Sequence, residues 1–166
     1  ATAKLTRSGQ ADVLMTGTTV TGSTKITGTF TLTSGGIPVA PGAWSVVVTN
    51  PTDGGSATLT DGFTVTGSAP SITTVSPSSK AQGTGGTETV NGTNYAIGTT
   101  ATISGTGVTV GATTVVSATQ LTFSGTVAAG ATPGTRNVTV TNTDGQATTC
   151  TGCFTVPRLD TISIDP

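Results

Sequence analysis

The chain has 166 residues, 8% of them charged, with a net charge of −1, 24 glycines and about a quarter threonine. Its cations, Lys4, Arg7, Lys25, Lys80, Arg136 and Arg158, stand singly, so no basic stripe exists to neutralise phosphates and no nucleic-acid partner is expected. No apolar run approaches the ~18 residues that a membrane-spanning helix needs, so no membrane span is expected.

Low charge would ordinarily point to disorder. Here β-branched threonine supplies a polar surface suited to strands, and short apolar runs alternate between Gly, Pro, Asn and Asp punctuation, the pattern of an all-β chain. In chain order, the first strong signal is residues 42–49, where Trp44, Val46 and Val48 alternate with Ser45, Val47 and Thr49. One face of that strand should enter a core. Asn50-Pro51-Thr52-Asp53-Gly54-Gly55 reads as a hairpin turn, since Gly accepts the positive φ that such turns require. Gly62-Phe63-Thr64-Val65 ends the following strand, and residues 67–69 form a linker. Strands are then predicted at 72–76, 87–91, 100–103, 108–110 with 114–117, 120–126, 135–141 and 147–156. A second turn falls at Asn142-Thr143-Asp144-Gly145. The turn aspartates have too few carboxylate neighbours for a calcium cage and read as turn residues.

The second half of this pattern repeats the first. Val46-Val47-Val48-Thr49-Asn50 returns as Val138-Thr139-Val140-Thr141-Asn142, and Gly62-Phe63-Thr64-Val65 as Gly152-Cys153-Phe154-Thr155-Val156. Pro70-Ser71-Ile72-Thr73-Thr74-Val75-Ser76 returns 87 positions later as Pro157-Arg158-Leu159-Asp160-Thr161-Ile162-Ser163. A period of roughly 90 residues is the size of a small β-sandwich. The expected fold is therefore all-β with tandem sandwiches: an N-terminally truncated repeat at 1–66, a complete one at 70–156, and the first strand of a further repeat at 157–166. Ends that cut through repeats predict a stretch of a longer polypeptide. Val138 and Val140 should point inward like Val46 and Val48. Arg136 stands where Trp44 stood and is expected at the open end of the sandwich or snorkelling outward.

Chemistry is sparse. There is no histidine, which removes the commonest general base and metal ligand. The acids Asp12, Asp53, Asp61, Glu88, Asp144, Asp160 and Asp165 fall mostly in turns and strand ends, without a pair placed for acid–base work. No catalytic residue, metal ligand or cofactor is expected, and the chain reads as non-enzymatic. Cys150 and Cys153 are the sharpest local feature. Aligning the repeats makes Cys153 an extra residue and puts Cys150 in the place of Thr60, as if a disulfide were clipped across a bulge. The rival readings are free thiols, a redox pair, which would want a helix N-terminus, a zinc site, which would want two further ligands, and covalent haem attachment, which would want His where Phe154 stands. Asn91-Gly92-Thr93 and Asn137-Val138-Thr139 are candidate glycosylation sequons at Asn91 and Asn137. Tyr95 is either an exposed aromatic for a sugar or a plug at the sandwich rim.

The run Pro70-Ser71-Ile72-Thr73-Thr74-Val75-Ser76-Pro77, then Gly85-Gly86-Thr87-Glu88-Thr89-Val90-Asn91-Gly92-Thr93-Asn94-Tyr95, Val138-Thr139-Val140-Thr141-Asn142-Thr143-Asp144-Gly145 and Phe154-Thr155-Val156, resembles the IPT/TIG family of immunoglobulin-like domains. The form it resembles is the tandem array of large bacterial and archaeal surface proteins, and the likeness covers nearly all of 70–156. The resemblance implies immunoglobulin-like sandwiches acting as spacer or adhesive modules, with no catalytic site to carry over. It implies an extracellular or cell-surface location, which a disulfide also favours.

The expected role is a structural repeat segment, a stalk or a fibre-forming array whose partners are neighbouring repeats or a homopolymer. The alternatives are an adhesin-type module whose loops recognise a glycan or protein, and an accessory domain of an enzyme. The Thr66-Gly67-Ser68-Ala69 joint should flex more than the joint at Pro157. A first repeat without opening strands should expose a sheet edge open to pairing.

Overall fold

The computed structural model describes residues 1–158, and within them the chain is all-β, with fourteen strands and no helix. The expected strand at 157–166 falls beyond Arg158 outside the described residues. In the first half lie β1 (Thr2–Thr6), β2 (Val13–Thr21), β3 (Lys25–Phe30), β4 (Thr33–Ser34), β5 (Ile37–Pro38), β6 (Gly42–Thr49) and β7 (Ser56–Val65). Five of them join into one antiparallel sheet in the order β3-β2-β1-β6-β7, while β4 and β5 form a separate two-stranded ribbon. The sheet curls over its apolar face at one end. There Phe30 of β3 meets Phe63 of β7, ring centroids 6.0 Å apart, although the two strands stand at opposite ends of the sheet order. Leu5, Val13, Val39, Ala40, Trp44 and Val65 are buried beneath this closure.

The second half contains β8 (Ser71–Ser76), β9 (Gly85–Thr93), β10 (Thr100–Ile103), β11 (Val108–Ser117), β12 (Gln120–Val127), β13 (Gly134–Thr141) and β14 (Ala147–Val156). They form two sheets, β11-β12-β9-β8 and β10-β13-β14. A single core draws Val75, Val90, Leu121 and Phe123 from the first sheet and Ile103, Val138, Val140 and Phe154 from the second. Past β8 the chain crosses between the sheets: Thr155 donates its N–H to Ser78 at 2.9 Å and Lys80 donates to Thr155 at 3.1 Å. Each strand presents an apolar row inward and a hydroxyl row outward, as period-2 alternation requires. Thr139 and Thr149, for example, bridge hydroxyl to hydroxyl at 2.8 Å on the exposed face.

The strands predicted in the second half are all present, those at 72–76 and 135–141 starting one residue earlier, and three others differ more. The strand at 87–91 is longer, and 120–126 runs on to Val127. The two runs at 108–110 and 114–117 are one strand, continuous through a bulge between Val110 and Thr113. Some registers correspond between the two halves. Leu5↔Val46 and Trp44↔Phe63 in the first half correspond to Ile103↔Val138 and Arg136↔Phe154 in the second. Trp44 and Arg136, at corresponding places, use the same hydrogen bond. Trp44 Nε1 donates to the Ala40 carbonyl at 2.9 Å, and the half-buried Arg136 guanidinium turns back to the Thr132 carbonyl, each four residues upstream. Arg136 therefore does not extend freely outward; it substitutes an ionic donor for the indole N–H.

One ion pair is buried in the second core. Glu88 on β9 is fully buried, and its Oε1 is in ionic contact with Lys80 Nζ, a side chain only 8% exposed. Lys80 also donates to the Gly125 carbonyl at 3.3 Å. Neither carboxylate oxygen has a hydrogen-bond donor in good geometry among the described residues. A Cβ at position 125 would strike the Glu88 carboxylate, which would have to shift. Removing one partner leaves a charge buried and uncompensated, which costs about 3–5 kcal/mol, whereas replacing both by apolar groups is often neutral. Lys80→Met should therefore destabilise the second half by that amount in urea denaturation, and Lys80→Met with Glu88→Leu should restore most of the loss.

Candidate functional site

Among the described residues no group of three or more His, Cys, Asp and Glu side chains converges. The turn aspartates serve their own turns: Asp53 Oδ1 accepts the Gly55 N–H at 2.9 Å and Asp144 Oδ1 accepts the Gln146 N–H at 3.1 Å. Of the sequon residues, Asn91 sits on β9, paired on both sides. Its Nδ2 donates to Thr74 Oγ1 and its Oδ1 accepts from Gln120 Nε2, each at 3.0 Å. Asn137 braces the β13–β14 bulge, with Oδ1 accepting the Gly152 N–H at 3.0 Å.

Cys150 and Cys153 are at bridging distance on β14, with Cα atoms 5.7 Å apart. The registers correct the expected alignment. Val46↔Leu59 and Val138↔Cys150 each stand four residues before the matching phenylalanine, so Cys150 occupies the place of Leu59 and Cys153 that of Gly62. No residue is inserted. The length difference lies in the preceding turn, six residues between Thr49↔Ser56 and five between Thr141↔Ala147. Both bulges turn on a positive φ at the same place, Asp61 at 52° and Gly152 at 68°, and both brace that amide on the facing strand, through Ser45 Oγ and Asn137 Oδ1. A Cβ on Gly62 would meet Leu59 Cγ at 2.5 Å. Leu59 thus lies over Gly62 where the cysteines meet each other. A loop this small should add at most about 2 kcal/mol by chain entropy. Leu59→Cys with Gly62→Cys should form a second bridge, detected as a mass loss of two hydrogens under non-reducing conditions.

The densest polar arrangement is the junction between the halves. The 66–69 segment, expected to flex, is instead held carbonyl by carbonyl. Gln146 Nε2 donates to Gly67 at 3.1 Å, Asn142 Nδ2 to Ser68 at 3.3 Å, and Asn94 Nδ2 to Ala69 at 2.9 Å. Asn142 is buried, and its other contacts lock it in place: Nδ2 also donates to the Asn94 carbonyl at 3.0 Å, and Oδ1 accepts Thr99 Oγ1 at 2.6 Å. Two bonds bypass the linker. Thr143 Oγ1 donates to the Pro41 carbonyl and the Ile97 N–H to the Pro38 carbonyl, both at 2.9 Å.

Tyr95 anchors the next strand to this junction. It is fully buried, and its hydroxyl donates to the Ser71 carbonyl at 2.8 Å, so it presents no face to a sugar. Gly92 is required beside it, since a Cβ would collide with both groups of that bond. Burial pushes the phenol up to about 12 from 10.0. The neutral form is favoured in the folded state, so this contribution to stability is complete below pH ~10 and is lost as pH rises through about 12. Tyr95 is the only tyrosine. Its absorbance titration should show a midpoint near 12, and Tyr95→Phe should remove that part of the alkaline loss of stability.

No family model, curated protein or solved structure matches this chain.

Proposed function

We propose that the chain is a non-enzymatic structural segment, two immunoglobulin-like repeats of the IPT/TIG kind at 1–66 and 70–156. Their work is to hold a fixed spacing in an extracellular stalk or fibre. The observation that carries this reading is the junction. Three successive linker carbonyls are bound by Asn94, Asn142 and Gln146, and two further bonds join the halves directly. A spacer needs little else: two cores that each bury their own apolar residues, and a joint that keeps them in line. The Cys150–Cys153 pair supports an oxidising location, since such bridges persist outside the cytoplasm. A hydroxyl-rich, weakly charged surface supports the same reading, because it offers few groups for specific ligand capture. The adhesin alternative loses its one aromatic candidate with the burial of Tyr95.

The test is a distance measurement across the joint, with spin labels on the exposed Thr52→Cys and Thr109→Cys positions. A narrow distance distribution is expected, broadening in Asn142→Ala with Gln146→Ala. A broad distribution in the parent chain would refute the spacer reading.

A further inference from the structure

The Lys80–Glu88 pair holds an amine against a carboxyl group inside the second core. Glu88 is fully buried on β9, the Lys80 side chain is only 8% exposed, and Nζ is in contact with Oε1. Lys80 is fixed at both ends. Its N–H donates to the Thr155 carbonyl of β14 at 3.1 Å, and its Nζ to the Gly125 carbonyl of β12 at 3.3 Å. Glu88 is set by its register against Phe123 of β12. Glycine stands beside each group. A Cβ at position 125 would come within 2.9 Å of Glu88 Cδ, and one at position 86 within 3.1 Å of Lys80 Nζ. Both positions thus lack the side chain that would crowd the pair. As a resting ion pair the arrangement is poorly satisfied. Neither carboxylate oxygen has a donor in good geometry among the described residues, and buried ions without further hydrogen bonds recover little of their desolvation cost.

We propose that Lys80 and Glu88 condense into an amide, an internal cross-link between Nζ and Cδ. One proton passes from the ammonium to Oε1, which leaves a neutral amine facing a neutral carboxylic acid. The Nζ lone pair then adds to Cδ. A second Nζ proton moves to the same oxygen, the Cδ–Oε1 bond breaks, and one water departs. The three ammonium hydrogens become one amide hydrogen and the two of the water. Nothing is oxidised or reduced, and no co-reactant is needed. Glu88 is the only buried carboxylate among the described residues, so its own oxygen serves as proton acceptor and leaving group.

Two features favour the step. Holding the partners in contact removes the entropic barrier of a bimolecular condensation. The product is neutral, so the cost of two buried charges disappears. The product also fits the site. Its one remaining N–H keeps the Gly125 carbonyl as acceptor, and a single neutral carbonyl oxygen replaces two charged ones. The cross-link fastens β9 to the segment that crosses between the sheets, which is already bonded to β14 through Ser78 and Lys80. It goes beyond the spacer reading and does not depend on it.

The experiment is the intact mass of the full chain, unfolded and with its cysteines reduced. The parent should be lighter than its sequence by one water. Trypsin should leave the Lys80–Ala81 bond uncut while cutting after Lys25 and Arg136, and the missing water should map to a fragment that joins Lys80 to Glu88. Lys80→Met with Glu88→Leu, the combination expected to keep the fold, should have its full mass. A parent of full mass that trypsin cuts after Lys80 would overturn the proposal. A double variant that is also one water lighter would overturn it too, since the loss would then lie elsewhere, as at an Asp-Gly bond. The distance distribution across the joint is unaffected by either result, so the spacer reading is tested separately.

Discussion

A sheet with one apolar face must have that face covered, and the rest of this molecule follows from how each half meets that requirement. The row Val46, Val48 on β6 and the row Val138, Val140 on β13 are the same element of sequence, yet the first is half-buried and the second fully buried. In the second half β8, β9 and β12 lie over the row and bring Leu121, Phe123 and Val90 into contact with it. In the first half the sheet folds over itself, and Phe30 on Phe63 closes one end. At the place of Phe30 the second half has Gly125. The Phe30 ring rests on Phe63 in the first half, while Gly125 in the second lies against the buried Glu88 carboxylate from β9.

With so few charges, the chain fixes its polar geometry with amides, hydroxyls and turn carboxylates. The bulges are braced by Ser45 and Asn137, the turns by Asp53 and Asp144, the linker by Asn94, Asn142 and Gln146. These groups bond to backbone, so they act at fixed positions and do not depend on ionic strength as surface ion pairs do. Ion pairs add an exposed contact, Lys4–Asp12, and a buried one, Lys80–Glu88, placed where water does not reach. A joint built on backbone carbonyls also tolerates variation in the linker side chains, because only their main chain is read.

Much of the fold was legible beforehand. The strand alternation and the Asp-Gly turns rest on local rules, period 2 and positive φ, that residue types declare directly. The places where the reading went astray share a cause. Aligning Cys153 as an insertion was reasonable by composition, but which residue faces which across a hairpin is set by register. The register moved the extra residue into the turn at 50–55. Gly67 and Ser68 read as a flexible joint because glycine and serine are permissive, and nothing local announces that Gln146, 79 positions away, takes the Gly67 carbonyl. Tyr95 was ambiguous between surface and core for the same reason, its hydroxyl partner being the backbone of Ser71, 24 positions upstream.

By itself the sequence determined the class of structure, the turns and the inward rows of the second half, since each depends on residue type and short spacing. Only the tertiary structure decided that the joint is held, that the cysteines replace a leucine packed over a glycine, and that the two copies of one apolar row are covered differently. Those outcomes depend on contacts between residues far apart in the chain, which residue type and short spacing do not declare.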